Sequence, residues 1–317
     1  MQKTNILGAG MAGLLAANMM RRRCPTVFEA KDELPDLHKA VLRFRNQSVS
    51  EATGIPFQKI KVNKSLYTHN GYKEKPSVQD ANNYSLKATG AIEDRSVWNL
   101  DPCVRYLAPN NFVEQMANSI EVEYGVTIGK ANIEGCKHDG DLTISTLPMP
   151  VMMKIVGWKT DIKFRECAKP IFVIRCKLKK PKSRVHQTIY NSSLYTHWYR
   201  GSIHGDDLII ECDVDVTEKS RQVVYNFLST ICSLNSTDIE IEEETVHTQP
   251  LGKILSIDEH ERQEFIYYLT QQYNVYSLGR FATWRPLLMD AVVDDVRKIE
   301  KLSGTSHYNH NHKTKIK

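Results

Sequence analysis

The sequence predicts an α/β fold, a mainly parallel sheet interrupted by an inserted, mainly antiparallel layer. Three observations lead there: a strand–glycine turn–helix–strand unit over residues 4–29, further short apolar strands flanked by helix-like stretches over 111–147 and 275–302, and a long alternating run over 169–212.

Thr4-Asn-Ile-Leu7 reads as a short buried strand, Gly8 to Gly13 as a turn, and Leu14 to Arg23 as a helix rich in Ala, Leu and Met. Cys24-Pro25 ends that helix, and Thr26-Val-Phe28 is a second strand closing at Glu29. Residues 30–100 are polar and mixed, an excursion from the first sheet. They hold strand-like pieces at Val41–Phe44 and Lys59–Val62, and turn-rich stretches at Asn70-Gly71 and Asp80–Asn83.

Phe112, Met116 and Ile120 recur at fourfold spacing and predict a helix over 111–123, followed by a strand at Val126-Thr-Ile128. Asp141–Leu147 is a strand stopped by Pro148-Met-Pro150. Alternation at Ile171–Cys176, Thr188–Tyr190 and Leu208–Cys212 suits antiparallel pairing. Glu218–Leu234 is helix-like, Val275–Leu278 a last strand, and Leu287–Leu302 a closing helix with Met289, Val292, Val293 and Val296 on one side. The stretch 304–317, poor in apolar residues, is expected to be a disordered tail.

At 317 residues, with 41% hydrophobic and 25% charged residues, the chain can bury a core without disulfide or metal staples. A net charge of +5, concentrated at Arg21–Arg23, Lys177–Lys182 and Lys313–Lys317, fits a phosphate-rich ligand or weak nucleic-acid contact equally well. Arg21–Arg23 ends a helix, where cations complement the dipole, so nucleic acid is not the expected partner.

The seven cysteines are dispersed without a CxxC pair, as free thiols in a reducing compartment would be. The basic cluster follows the first apolar stretch instead of preceding it, unlike a secretory signal. No run long enough to span a membrane occurs, so the expected location is the cytoplasm. Nothing specifies an oligomeric state.

Gly8-Ala9-Gly10-Met11-Ala12-Gly13 is a GxGxxG between strand and helix, the dinucleotide-binding fingerprint of a Rossmann-like FAD/NAD(P)-binding domain. Gly8 permits the tight turn, Gly10 lets a diphosphate approach the backbone, and Gly13 lets the helix pack on the strand. The diphosphate then faces the positive end of the helix. Glu29 falls about 20 residues into the motif, at the end of the second strand, where a carboxylate accepts bonds from ribose hydroxyls. Spacing alone does not choose between FAD and NAD(P).

The string Ile6-Leu-Gly-Ala-Gly-Met-Ala-Gly-Leu-Leu-Ala-Ala17, with Val27-Phe-Glu-Ala30, resembles the opening of the FAD-dependent flavoprotein superfamily of flavin amine oxidases, protoporphyrinogen oxidase and UDP-galactopyranose mutase. Asp141–Pro150 resembles the strand that precedes the family's second crossing into its substrate domain. Tyr276-Ser-Leu-Gly-Arg-Phe-Ala-Thr-Trp-Arg-Pro-Leu-Leu-Met-Asp290 resembles the C-terminal flavin-contact segment, most closely the mutase version.

The resemblance implies FAD as cofactor, with Gly279 and Arg280 approaching its pyrophosphate and Met289 and Asp290 opening a helix whose N-terminus lies near the flavin ring. The other reading of this last block is a buried strand–helix corner with a structural arginine. The chain departs from the family pattern at Lys31–His38, which lacks a Gly-Gly-Arg turn, and at Pro286 and Leu288, which argue against mutase activity.

Leu42-Arg43-Phe44-Arg45 sets two arginines on one strand face, either toward a substrate phosphate or carboxylate, toward the flavin edge, or into solvent. His197-Trp-Tyr-Arg200, between two predicted strands, forms either an aromatic wall over the flavin with Arg200 as anion clamp, or ordinary hairpin packing. Arg43, Tyr199, Arg200 and Trp284 are thus the candidate anchors for a small, possibly anionic, substrate. No catalytic acid–base or nucleophilic arrangement stands out. His247 and His260 lack partner spacing, and the tail histidines 307, 310 and 312 match no standard metal site, so no metal is expected.

These readings assign residues 1–45, 100–150 and 245–303 to the FAD-binding domain, and 46–99 and 151–244 to the substrate or cap domain. They imply an FAD-dependent oxidoreductase accepting a hydride at the flavin. The alternatives are a mutase-like sugar-nucleotide isomerase that needs reduced flavin, a flavin-binding protein without turnover, and an NAD(P) protein.

Overall fold

The computed structural model describes residues 3–34, 41–92, 96–136, 141–180, 182–232 and 239–312. In chain order the strands are β1 (Thr4–Leu7), β2 (Thr26–Phe28), β3 (Arg43–Phe44), β4 (Gln58–Thr68), β5 (Gly71–Lys73), β6 (Cys103–Leu107), β7 (Glu121–Glu123), β8 (Leu142–Ser145), β9 (Ala168–Leu178), β10 (Ser183–Asn191), β11 (Trp198–Gly205), β12 (Asp207–Cys212), β13 (Ile241–Ile254) and β14 (Val275–Ser277). The helices are α1 (Met11–Met19), α2 (Ser48–Thr53), α3 (Val78–Thr89), α4 (Phe112–Ala117), α5 (Lys130–Cys136), α6 (Met149–Val156), α7 (Ser220–Cys232), α8 (Glu259–Tyr273) and α9 (Met289–His312).

The first sheet has the order β14-β8-β1-β2-β7, and every pairing in it is parallel. Its strands are three or four residues long, and the central ones, β1 and β8, are buried because helices cover both faces, whereas the edge strand β7 exposes Glu121 and Glu123. Ile6, Val27 and Ile144 pack with Leu14, Leu15 and Ala17 of α1, Phe112 and Met116 of α4, and Val292, Val293 and Val296 of α9. Leu7 and Val275 pack on the opposite side with Met149, Met152 and Met153 of α6 and Phe265 and Leu269 of α8. From β1 the chain passes to β2 on one side, and β8 lies on the other. The carboxyl ends of β1 and β8 therefore border the crevice where open α/β sheets bind ligands.

The second sheet has the order β13-β9-β12-β11-β10-β4-β6-β3, with β5 on β4. Its pairings are antiparallel except for the parallel β10–β4 contact. One face packs under α7, with Ile174, Ile189, Ile203 and Ile210 against Phe227 and Leu228. On the other face Val173, Tyr190 and Tyr199 meet Ala81 and Tyr84 of α3. β3, β6 and all of β13 pair in this sheet, so the two sheets interleave along the chain.

Several local expectations change. Asp80–Asn83 is not a turn but the first half of α3. Ser77 caps that helix by accepting from the Asp80 N–H, and the Asp80 carboxylate reaches back to the Ser77 N–H, so an acid that looks like turn chemistry is half of a capping box. The helix expected over 111–123 ends at Ala117, and the strand expected at 126–128 lies instead at Glu121–Glu123, beside β2. His197–Arg200 is no inter-strand connection, because β11 starts at Trp198.

Arg43 and Arg45 do not share a strand face. β3 holds only Arg43 and Phe44, and Arg45 is exposed beyond its end. α9 runs through His312, where disorder was expected from 304. Residues 313–317, and Pro35–His38 of the missing Gly-Gly-Arg turn, lie outside the described residues. Among the described residues no helix is long and apolar enough to cross a membrane, and no group of three metal-ligating side chains occurs.

Candidate functional site

At the end of β1 the chain turns at Gly8, whose φ of +100° lies in the left-handed region that glycine tolerates. A Cβ on Gly13 would fall 2.1 Å from the Gly8 carbonyl oxygen, so only glycine lets α1 lie this close to β1. Gly10 is different. Its φ of −68° suits any residue, and a Cβ there would meet nothing of the protein within 4 Å. The fold does not demand a glycine at position 10, and the space it leaves opens at the first turn of α1.

That first turn carries no side-chain cap and no acidic residue. Uncapped N–H groups at a helix's positive end, behind a glycine that keeps the approach clear, match the needs of a diphosphate. The residues present therefore fit the FAD pyrophosphate, with the Gly8-Ala9-Gly10-Met11-Ala12-Gly13 backbone as its cradle.

Glu29 stands at the end of β2, held by its N–H to Glu123 O and by Val126 N–H to its own carbonyl. Its Oε2 accepts the Ala9 N–H at 2.9 Å and its Oε1 the Lys31 N–H at 3.1 Å. The carboxylate thus borders the glycine loop, and each oxygen keeps acceptor capacity for a ribose hydroxyl. Ala30 beside it is exposed. Burial and the Glu29 charge together raise the Tyr124 phenol above its ordinary value.

Gly279 follows β14 with φ +88°, and a Cβ on it would lie 2.6 Å from Cβ of Ala12. The C-terminal block therefore abuts the first turn of α1, as its sequence resemblance requires. Arg280 reaches the Gly252 carbonyl of β13 at 3.4 Å, linking this block to the second sheet. Met289 joins the core beside α1, and Asp290, in the first turn of α9, accepts the Arg45 N–H at 3.3 Å and the Ser48 hydroxyl at 3.4 Å.

The four proposed substrate anchors separate. Trp284 is 3% exposed, gives its indole N–H to Leu255 O at 3.0 Å and packs edge-on against Phe164, so its ring is committed to the core. Tyr199 is fully buried, and its hydroxyl donates to Glu211 Oε2 at 2.7 Å. Arg200 holds the other oxygen of Glu211 through Nε at 2.7 Å and through Nη2. Burial works against both charges of this pair. Arg200 nevertheless holds Glu211 below the usual carboxylate range, and Glu211 holds Arg200 above its own. Burial pushes the Tyr199 phenol well up.

Arg43 is the anchor left open. Its Nη1 donates to Thr188 Oγ1 at 3.0 Å, while its Nε is sealed from solvent without a partner among the described residues. Burial, and then the charge of Arg200, lower it to about 10.

Sequence reasoning missed Glu211, Lys253 and Thr188. An acid inside Leu208-Ile-Ile-Glu-Cys212 was a signal, because a carboxylate on an otherwise apolar strand needs a buried cation. Lys253, whose Nζ sits 4.8 Å over the Tyr199 ring, carried no comparable signal. The resemblance of Arg21–Arg23 to a basic patch dissolves in part: Arg21 is pinned to Asn18 and to Ser119 Oγ, the latter at 2.8 Å.

No protein-family model matches the chain, and no curated protein sequence matches it. Solved structures do. A reduced UDP-galactopyranose mutase superposes with a TM-score of 0.70 at 12% identity, covering 96% of each chain. A fatty acid isomerase from P. acnes that produces CLA gives 0.60 at 13% identity over 94% of this chain and 97% of its own. An oxidoreductase from Methanosarcina mazei gives 0.57 at 11% identity over 94% and 100%. At these identities the likeness shows the fold. The chain shares the two-sheet fold of these enzymes.

Proposed function

We propose that the chain is an FAD-dependent oxidoreductase that takes a hydride from a small-molecule substrate held between the glycine-loop crevice and the second sheet. The observation that carries this reading is the open space at Gly10, in front of an uncapped helix N-terminus and flanked by Glu29 and Gly279. When bound, the flavin supplies the redox chemistry. The backbone of residues 8–13 would grip the diphosphate, Glu29 the ribose, and Gly279 and Arg280 the far side of the pyrophosphate. Met289 and Asp290 would start the helix beside the ring. The second sheet would exclude water and orient the substrate.

A mutase-like isomerase is the second reading. The superposition over 96% of both chains on a mutase crystallised in its reduced form favours it, together with the Gly279-Arg280 pair, whereas Pro286 and Leu288 argue against it.

Anaerobic mixing with candidate substrates separates the readings. An oxidoreductase loses its blue flavin absorption when its substrate is added. An isomerase turns over only after chemical reduction and yields no oxidised product. A flavin that no compound bleaches, with no turnover in either redox state, would leave a binding protein without catalysis.

A further inference from the structure

We propose that Arg43 binds the anionic group of the substrate, a carboxylate or phosphate, on the face of the second sheet opposite α7. This rests on the flavoenzyme reading and gives its substrate a chemical class.

A guanidinium has five N–H donors and cannot shed its charge. Arg43 uses one on Thr188, and among the described residues its Nε is enclosed without a partner and no carboxylate forms an ion pair with it. The acid whose charge acts on Arg43, Glu211, is already occupied: Arg200 takes one oxygen and Tyr199 the other. One carboxylate thus faces Arg43 and Arg200 and is taken by Arg200, so Arg43 has no ion-pair partner among the described residues. A half-buried positive excess of this kind is stabilised by an incoming anion.

The surroundings supply what an oxyanion needs besides charge. Thr188 of β10 stands opposite Ser202 of β11, and cross-strand partners share a face. Two hydroxyl residues therefore lie on this face of the sheet, and the guanidinium donates to the Thr188 one. Two residues back along β10, His186 stacks on His204 with ring centroids 3.6 Å apart and planes 12° apart. Burial, His204 and Arg43 lower His186 to about 4, so at neutral pH its imidazole is uncharged and the attraction for an anion belongs to the arginine. Arg200 is set two residues further along the sheet, opposite Tyr190, and completes the electropositive wall while remaining tied to Glu211.

The test is calorimetric titration of the FAD-loaded protein with benzoate, its neutral analogue benzamide, and inorganic phosphate. We expect one of the two anions to bind, and its identity tells a carboxylate site from a phosphate site. If benzoate binds, benzamide should bind about tenfold more weakly or worse in the unmodified protein. Arg43→Met should lose about tenfold or more of the anion affinity while keeping its flavin bands and melting temperature. Arg43→Lys, which keeps the charge without the fork, should fall between. Should Arg43→Met fail to fold, Thr188→Val frees the guanidinium from its anchor and should weaken the anion severalfold.

Binding of neither anion, equal affinity in the unmodified and Arg43→Met proteins, or loss of FAD instead of anion in that variant overturns the proposal. A protein that retains no flavin yet binds an anion through Arg43 would overturn the flavoenzyme reading and leave the anion site standing.

Discussion

A methyl group at position 13 would sit 2.1 Å from the Gly8 carbonyl oxygen, whereas one at position 10 would meet nothing within 4 Å. The two glycines therefore differ: the fold demands the first and does not demand the second. Gly13→Ala is expected to lower stability by about 1–3 kcal/mol through overpacking, read as a fall in Tm, whether or not FAD is present. Gly10→Val should keep the fold, at a cost of about 1 kcal/mol for a poorer N-cap, and lose FAD binding. Normal FAD affinity in Gly10→Val would show that nothing approaches that backbone.

Lys87 carries a residue-scale prediction of another kind. It is buried, and its Nζ donates to Ser193 O, to Thr196 Oγ1 at 3.1 Å and to Trp198 O at 2.8 Å, bracing the turn between β10 and β11. Burial lowers it from 10.5 to about 8, against the raising effect of Asp213 and Cys212. The unfolded chain then holds more protons than the folded one between those two values, so the burial penalty present below the lower value is relieved as pH rises through the window. Urea midpoints at pH about 7 and about 10 should show the protein gaining stability relative to Lys87→Met. A constant difference between the two would mean that Lys87 titrates normally.

At the scale of elements, α3 shows where pattern reading misses. Asp80, Asn82 and Asn83 are turn-prone residues, yet Ala81, Tyr84, Ser85 and Ala88 form a buried stripe at helical spacing, and the Ser77–Asp80 box supplies the start signal. Ser77→Ala should cost about 1 kcal/mol, measured as a lower urea midpoint with unchanged slope. β7 was invisible for a different reason. Glu121-Val-Glu123 has a single apolar residue, and it is a strand because β2 offers it a backbone ladder. β1, β2, β8 and β14 were legible because helices bury both their faces, which writes itself into the sequence as short apolar runs.

Over the whole molecule, the glycine-loop crevice was legible and the arginine-bearing wall of the second sheet was not. Gly8–Gly13 and Glu29 lie within one βαβ unit, where local spacing carries the geometry, and Gly279 was placed by resemblance to a flavin-contact segment. The wall is assembled by pairing between distant strands. Arg43 meets Thr188 across 145 positions, and Arg280 meets Gly252 across 28. No periodicity reports such meetings. His197–Arg200 read as either a wall with Arg200 as anion clamp or hairpin packing, because its neighbour in space, Glu211, lies on the next strand, where it takes Tyr199 and Arg200.

An FAD-dependent enzyme of this kind holds its cofactor in the crevice at Gly10. The measurement that tests it most directly is the visible absorption spectrum of the purified protein, taken as isolated and again after incubation with FAD and desalting. Paired flavin bands in the blue and near-ultraviolet should survive desalting and vanish in Gly10→Val. A protein that stays colourless after FAD loading would contradict it.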